Sequence, residues 1–221
     1  MRVYLARDLL QANQSNAHEN RNILANNGTL MVNVMGSPGC GKTTLLQRTL
    51  QALSCYRVSV IVGDLYTSED AEKLAPWCDK VLQINTEGAC HLEAGQIGHL
   101  MVEENLLQSD ILFVENIGNL VCPAEFDLGE DFRVALISVT EGNDKTRKYP
   151  LVFKGAAAAL VTKMDLLPYC DFSSQELESD LRRINPELKV FQVSCKSGEG
   201  LEPWFKWIDR QLLAKKSLAS S

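Results

Sequence analysis

The sequence predicts an α/β fold: a mostly parallel central sheet with helices on both faces. Three observations carry this prediction. Short runs rich in Val, Ile and Leu alternate with amphipathic stretches along the chain, the pattern of strands buried on both sides and joined by crossover helices. One of these runs leads straight into a glycine-rich loop and a helical segment. One other is followed by a carboxylate and one ends on a carboxylate, at the sheet edge where open α/β folds bind ligands.

In chain order, a helix is expected at about residues 5–26, stopped by Asn27-Gly28. Strands are expected at 30–35, 58–62, 80–84, 111–115, 134–139, 157–162 and 189–193. Helical patterns occupy 42–54, 91–107, 173–184 and 200–214, and KKSLASS at 215–221 reads as a flexible tail. The 221 residues suit one domain, 1–221, with 1–28 as its N-terminal helix.

Composition removes several classes. Hydrophobic residues make up 45% and charged residues 23%, which excludes a disordered chain. No apolar run approaches the roughly 18 residues of a membrane span. MRVYLARDLLQANQ carries charges and Gln inside its apolar stretch, unlike a signal peptide. A net charge of −6 argues against non-specific nucleic-acid binding. The 7 scattered cysteines read as reduced thiols of a cytoplasmic protein.

Residues 36–43, Gly-Ser-Pro-Gly-Cys-Gly-Lys-Thr, match the phosphate loop G-x-x-x-x-G-K-[ST]. Gly36, Gly39 and Gly41 let the backbone curl so that its N–H groups face phosphate oxygens, with Ser37, Pro38 and Cys40 between them. The following helix adds the field of its N-terminus, so Thr44 also borders the site. Lys42 is placed to reach the β- and γ-phosphates, and the Thr43 hydroxyl to ligate Mg²⁺. Asp64 follows one strand and Glu115 ends another. Both carboxylates should emerge at the edge that carries the phosphate loop, as Mg²⁺ ligands or water-orienting groups. Lys42, Asp64 and Glu115 are thus the catalytic candidates, and Glu115-Asn116-Ile117-Gly118 resembles the D-x-x-G switch of GTPases.

Thr162-Lys163-Met164-Asp165 resembles the guanine motif N-K-x-D, with Thr for Asn. A carboxylate at Asp165 accepts both N1–H and N2–H₂ of guanine, a donor pair that adenine lacks. The Lys163 stem can cover a face of the base. Ser194-Cys195-Lys196 resembles the S-A-K loop, where a backbone N–H meets guanine O6. GTP is therefore the expected nucleotide.

Cys90-His91 and Cys122 follow strands that should end at the same edge. Thiolate and imidazole are ligands for Zn²⁺ and Ni²⁺, although three ligands leave the shell incomplete. The alternative is a core Cys and a His at a helix start. Cys55, Cys78 and Cys170 read as structural, and His18 and His99 as solvated helix residues.

These segments, above all INTEGACHL and ENIGNLVCPAEFDLGE, resemble the HypB family of nickel-inserting GTPases of [NiFe]-hydrogenase maturation. The resemblance covers about residues 5–211. It implies a P-loop NTPase of the dimerising GTPase branch, slow GTP hydrolysis with Mg²⁺, and a nucleotide-promoted homodimer. It also implies an interface site for Ni²⁺ or Zn²⁺ made by Cys90, His91 and Cys122. The implied partners are a companion nickel chaperone and the hydrogenase large-subunit precursor. No Cys precedes Cys40 and only His18 occurs in that region, so N-terminal nickel storage is not expected. DLYTSEDAEKL also resembles the urease-maturation relative UreG, but Cys90-His91 lacks the Pro of that relative's Cys-Pro-His motif. A P-loop kinase would need an arginine-rich lid, and only Arg133 and Arg147-Lys148 are available near lid segments. A metal-storage protein with a vestigial nucleotide site fits poorly with an intact Gly36–Thr43 loop and Asp165.

Overall fold

The computed structural model describes residues 6–219; residue 5 of the expected first helix and residues 220–221 of the expected tail lie outside that range. The chain opens with α1 (Ala6–Asn27), β1 (Leu30–Gly36), α2 (Lys42–Ala52) and β2 (Val58–Asp64). It continues through α3 (Glu69–Leu74), β3 (Lys80–Asn85), α4 (Ala94–Glu103) and β4 (Ile111–Glu115). Then come α5 (Cys122–Glu125), β5 (Phe132–Ser138), α6 (Asp144–Lys148) and α7 (Pro150–Lys154). The last elements are β6 (Ala158–Thr162), α8 (Ser174–Ile184), β7 (Lys189–Gln192) and α9 (Leu201–Ala219). Among the described residues no helix is long and apolar enough to cross a membrane.

The seven strands form one sheet in the order β3-β2-β4-β1-β5-β6-β7, and every pairing is parallel. All residues of β1 are buried. Its alternation divides the core: Leu30, Val32 and Val34 pack with Leu45 and Leu46 of α2 and with Trp204 and Ile208 of α9. Met31 faces the opposite layer with Leu24 of α1 and Ile97 and Met101 of α4. Met35 meets Phe153 of α7 and Leu177 of α8. The order of connection reverses beside β1, so the crevice beyond its carboxyl end is the binding edge of the sheet.

Register places the acids at that edge. Glu115 pairs with Val34 on one side and Val62 on the other, and Asp64 lies two residues beyond Val62. Gly28 closes α1 with φ +66°, as its place after Asn27 requires.

Two expectations need correction. Helix α9 runs to Ala219, through residues 215–219 of the expected tail. Lys215 pairs with Asp131 at 2.6 Å and Lys216 with Asp110 at 2.8 Å, which ties this last stretch to loops below the sheet. Helix α4 starts at Ala94, not at 91, so His91 lies on a loop and carries no helix-dipole burden.

Candidate functional site

Beyond β1 the backbone makes the predicted loop. Gly39 and Gly41 have φ +74° and +98°, a region that favours glycine. Gly36 is constrained differently: a Cβ there would lie 2.5 Å from the Cys40 Sγ and 3.0 Å from the Leu136 carbonyl. Cys40 is fully buried, so it offers only its backbone, and burial pushes its thiol up to about 11. Lys42 is buried at the mouth, its ammonium donating long bonds of 3.4 Å to the Gly36 and Ser37 carbonyls. The Ser37 hydroxyl is engaged by Glu141. The cleft in front of the loop measures about 570 Å³ and is lined by Lys42, Thr43, Thr44, Asp64, Glu115 and Lys163, among others.

The Thr43 hydroxyl donates to Glu115 Oε1 at 2.9 Å. Glu115 Oε2 is buried without a partner, an orphan that a cation or its water shell would satisfy. Burial pushes the Glu115 carboxyl up to about 7, against the opposing charge of Lys42 and the Thr43 bond. Burial also opposes ionisation of Asp64, but bonds from the Thr67 hydroxyl and the Leu65 and Thr67 amides outweigh it, together with the charge of Lys42. Its carboxyl therefore sits below the usual range. The two acids are held in opposite directions at one edge.

A carboxyl whose folded-state pKa is raised stabilises the fold while protonated. That contribution is complete below the ordinary carboxylate range and is lost as pH rises through about 7. The ligand-free protein is therefore expected to melt at lower temperature at about pH 8 than at about pH 5.5. Glu115→Gln should remove this part of the decline and raise the melting temperature at the higher pH relative to wild type. Thermal melts of both proteins at the two pH values check it. A wild-type-like slope in the variant would contradict the burial account.

The base loops meet beside the cleft. Thr162, which stands where the guanine motif has Asn, is buried and donates to the Cys40 carbonyl at 2.6 Å. Lys163 takes φ +58° and donates to the Gly39 carbonyl at 2.7 Å. Asp165 accepts from the Ser194 hydroxyl at 2.7 Å. The Cys195 carbonyl is held by Arg48 Nε of α2 at 2.8 Å. Asp165, Ser194, Cys195 and Lys196 do not line the cleft itself. They adjoin it through Lys163 and these bonds.

The sulfur atoms of Cys90 and Cys122 are 2.7 Å apart, and Cys90 Sγ is 3.6 Å from His91 Nδ1. One ligand atom from each of the three residues lies within 4.8 Å of the others. The hydrogen bond from Cys90 to Cys122 and burial raise the Cys90 thiol. Burial lowers the His91 imidazole, which favours its neutral, ligating form. His91 Nε2 is buried without a hydrogen-bond partner, 4.0 Å from Glu93 Oε1, and its ring stacks on Phe126 with centroids 3.6 Å apart. Two thiols and one neutral imidazole are a donor set suited to a borderline divalent metal.

The connector from β4 links the two centres. Asn119 pairs with Gly36 in a bridge, and a Cβ on Gly118 would lie 2.9 Å from Pro38. The Asn119 amide also donates to the Cys90 carbonyl at 3.2 Å. The same short segment therefore rests on the phosphate loop, touches the Cys90 loop and ends at Cys122.

A match to the family model described as the nucleotide-binding domain of CobW, HypB and UreG spans residues 30–192. Hydrogenase maturation factor HypB of Azotobacter vinelandii is 44% identical over 208 residues, which is 94% of this chain and 69% of that protein. This chain belongs to the HypB family. The fold agrees: HypB from Archaeoglobus fulgidus superposes with a TM-score of 0.86 at 34% identity, covering 91% of this chain and 99% of that one. HypB from Helicobacter pylori, solved in complex with nickel, gives a TM-score of 0.86 at 35% identity, covering 93% and 97%.

Several residues of this HypB-family site were not foreseen from sequence. Phe126 lies within ENIGNLVCPAEFDLGE, but nothing in that segment marks it as a partner of His91. From sequence, Arg133 is expected only near a lid segment. It instead donates to the Ala124 carbonyl at 2.9 Å and the Phe126 carbonyl at 3.3 Å, fixing α5 to the sheet. Behind it, buried Glu130 reaches Asn33 at 3.3 Å, and Asn33 accepts from Asn116 at 3.2 Å. Asn33 inside the apolar run LMVNVM was the one available signal, since a polar residue there needs a partner.

Proposed function

We propose that this chain is a GTP-hydrolysing metallochaperone that assists insertion of nickel into a hydrogenase precursor. The observation that carries the proposal is the shared connector: residues 116–122 rest on the phosphate loop and deliver Cys122 to Cys90 and His91. Nickel is cargo here, and Zn²⁺ fits the same donors.

Hydrolysis is an in-line attack of water on the γ-phosphate, and catalysis is positioning plus charge stabilisation. The loop amides and Lys42 would hold the phosphates. Lys42 must leave the Gly36 and Ser37 carbonyls to do so, and its 3.4 Å bonds there are weak enough to exchange. Thr43 and Glu115 would hold Mg²⁺, which supplies charge neutralisation at the β- and γ-oxygens when bound. Asp64, kept ionised, would complete that shell or orient water. Asp165 would accept from guanine, Lys163 would cover the base, and the Cys195 amide region would meet O6.

Two chains about a two-fold axis would bring two sets of Cys90, His91 and Cys122 together and complete the metal shell. We therefore propose a nucleotide-promoted homodimer, served by a nickel chaperone and acting on a hydrogenase large-subunit precursor. Free thiols at all seven cysteines suit a reducing cytoplasm.

Base choice is tested at Asp165. Asp165→Asn is expected to weaken GTP binding by about tenfold or more, the scale of a lost charge-assisted pair. It should also improve binding of xanthosine triphosphate, because the amide donates to the xanthine C2 oxygen. Competition between the two nucleotides reads this out; unchanged guanine preference would refute the role.

A further inference from the structure

We infer that α1 is a clamp that sets the geometry of the metal site, with Asn13 and Asn20 as its positioning residues. The inference rests on the metal-site reading above. Asn is a poor helix-interior residue, yet α1 buries two of them seven positions apart on one face, with exposures of only 6% and 2%. Each side-chain amide bridges the same two segments. Asn13 Oδ1 accepts from the Ala94 N–H and its Nδ2 donates to the Asp127 carbonyl, both at 2.8 Å. Asn20 Nδ2 uses both hydrogens, donating to the Ala94 and Leu128 carbonyls at 2.8 Å each.

Those two segments carry the two halves of the metal site. Ala94 opens α4 three residues after His91. Asp127 and Leu128 directly follow Phe126, the ring stacked on His91, which in turn follows the short helix begun by Cys122. Packing alone does not require amides here, since an apolar side chain would bury without a desolvation cost. The amides give the Ala94 N–H, which has no intrahelical acceptor at a helix start, its partner and supply donors to the Asp127 and Leu128 carbonyls.

The helix is also held at a fixed height. A Cβ on Gly98 of α4 would lie 2.4 Å from Asn20 Oδ1, and one on Gly129 would lie 2.4 Å from the Ala17 carbonyl. Gly129 further takes φ +85°. Arg21 closes the contact with a pair of bonds to the Asp127 carboxylate, one of 2.6 Å. The hydrogen bonds described for α1 go to Ala94, Asp127 and Leu128 and not to Cys90, His91 or Cys122, yet they fix how far the Cys90–His91 loop stands from the Cys122 helix.

The test is nickel titration of the full chain and of Asn20→Ala, Asn13→Asp and Gly98→Ala. It follows the thiolate-to-nickel charge-transfer absorption, with GTP binding and melting temperature measured in parallel. Removing outer partners of metal ligands lowers affinity by about 10- to 100-fold. We expect that loss, with an altered charge-transfer band, in variants that still melt cooperatively and bind GTP within about twofold of wild type. Gly98→Ala probes the same clamp without removing a hydrogen-bonding group. If Asn20→Ala does not fold, Asn13→Asp, which keeps the acceptor for Ala94 and sets a carboxyl oxygen against the Asp127 carbonyl in place of the donor, gives the same reading. Folded variants with wild-type nickel affinity and band would overturn the clamp. A wild-type chain without any thiolate band would instead overturn the metal-site reading beneath it.

Discussion

Lys42→Ala should lower GTP turnover by about 10²- to 10³-fold, the loss seen when one preorganised charge-stabilising donor is removed from an active site. Lys42 is buried at the mouth of the cleft and makes weak bonds to the Gly36 and Ser37 carbonyls. Its charge lies close enough to lower the neighbouring Glu115, Asp64 and Cys40. Removing the ammonium strips the phosphate site of its cation and leaves Glu115 more firmly protonated. The fold should survive, because Leu45, Leu46 and the loop glycines are untouched. Phosphate release under saturating GTP measures the effect. Turnover within about twofold of wild type would remove Lys42 from the chemistry.

Cys122→Ala should abolish metal-promoted dimerisation and reduce metal affinity by more than an order of magnitude, while GTP binding to the monomer is spared. The three ligands are too few for a closed tetrahedral shell, so each one lost counts heavily. Cys122 is also the proposed ligand attached to the connector from the phosphate loop. Its loss should therefore uncouple the two centres as well as weaken one. The raised Cys90 thiol must lose its proton on ligation, so metal binding should release protons and weaken as pH falls. Light scattering with and without one equivalent of Ni²⁺ or Zn²⁺ checks the dimer. Wild-type dimerisation of Cys122→Ala would show that the interface site is misplaced.

The parts of this account that were legible in the sequence share a property: their chemistry depends on residue type at fixed spacing. Gly39 and Gly41 had to be glycine, Lys42 and Thr43 had to follow them, and two acids had to end strands at one edge. The parallel sheet was equally readable, because apolar runs such as LMVNVM bury both faces. Cys90, His91 and Cys122 were named from residue type, and the fold brings them together.

What escaped was positional. The short helices α3, α5, α6 and α7 hold four to six residues each, too few to show a helical period. The stacking of Phe126 on His91 and the anchoring of α5 by Arg133 arise from contacts between distant segments, which no local pattern encodes. Thr162 was read as a departure in the base motif. Its hydroxyl ties that loop to the phosphate loop at Cys40. The helix expected from residue 91 begins at Ala94, because Glu93 and Gln96 cap it there, with Asn13 of α1 accepting from the Ala94 N–H.

The central claim is that the metal site and the nucleotide site are linked through residues 116–122. Linkage is reciprocal, so a nucleotide that orders this connector must raise metal affinity by the factor with which metal raises nucleotide affinity. The direct measurement is equilibrium titration of Ni²⁺ into the nucleotide-free protein and into the protein saturated with a non-hydrolysable GTP analogue and Mg²⁺. Molar mass is followed by light scattering in the same samples. The account predicts an affinity at least about fivefold higher with nucleotide, the lower end of ordinary coupling, together with a shift to the dimer. Equal affinities in the two states, with no change in mass, would contradict it.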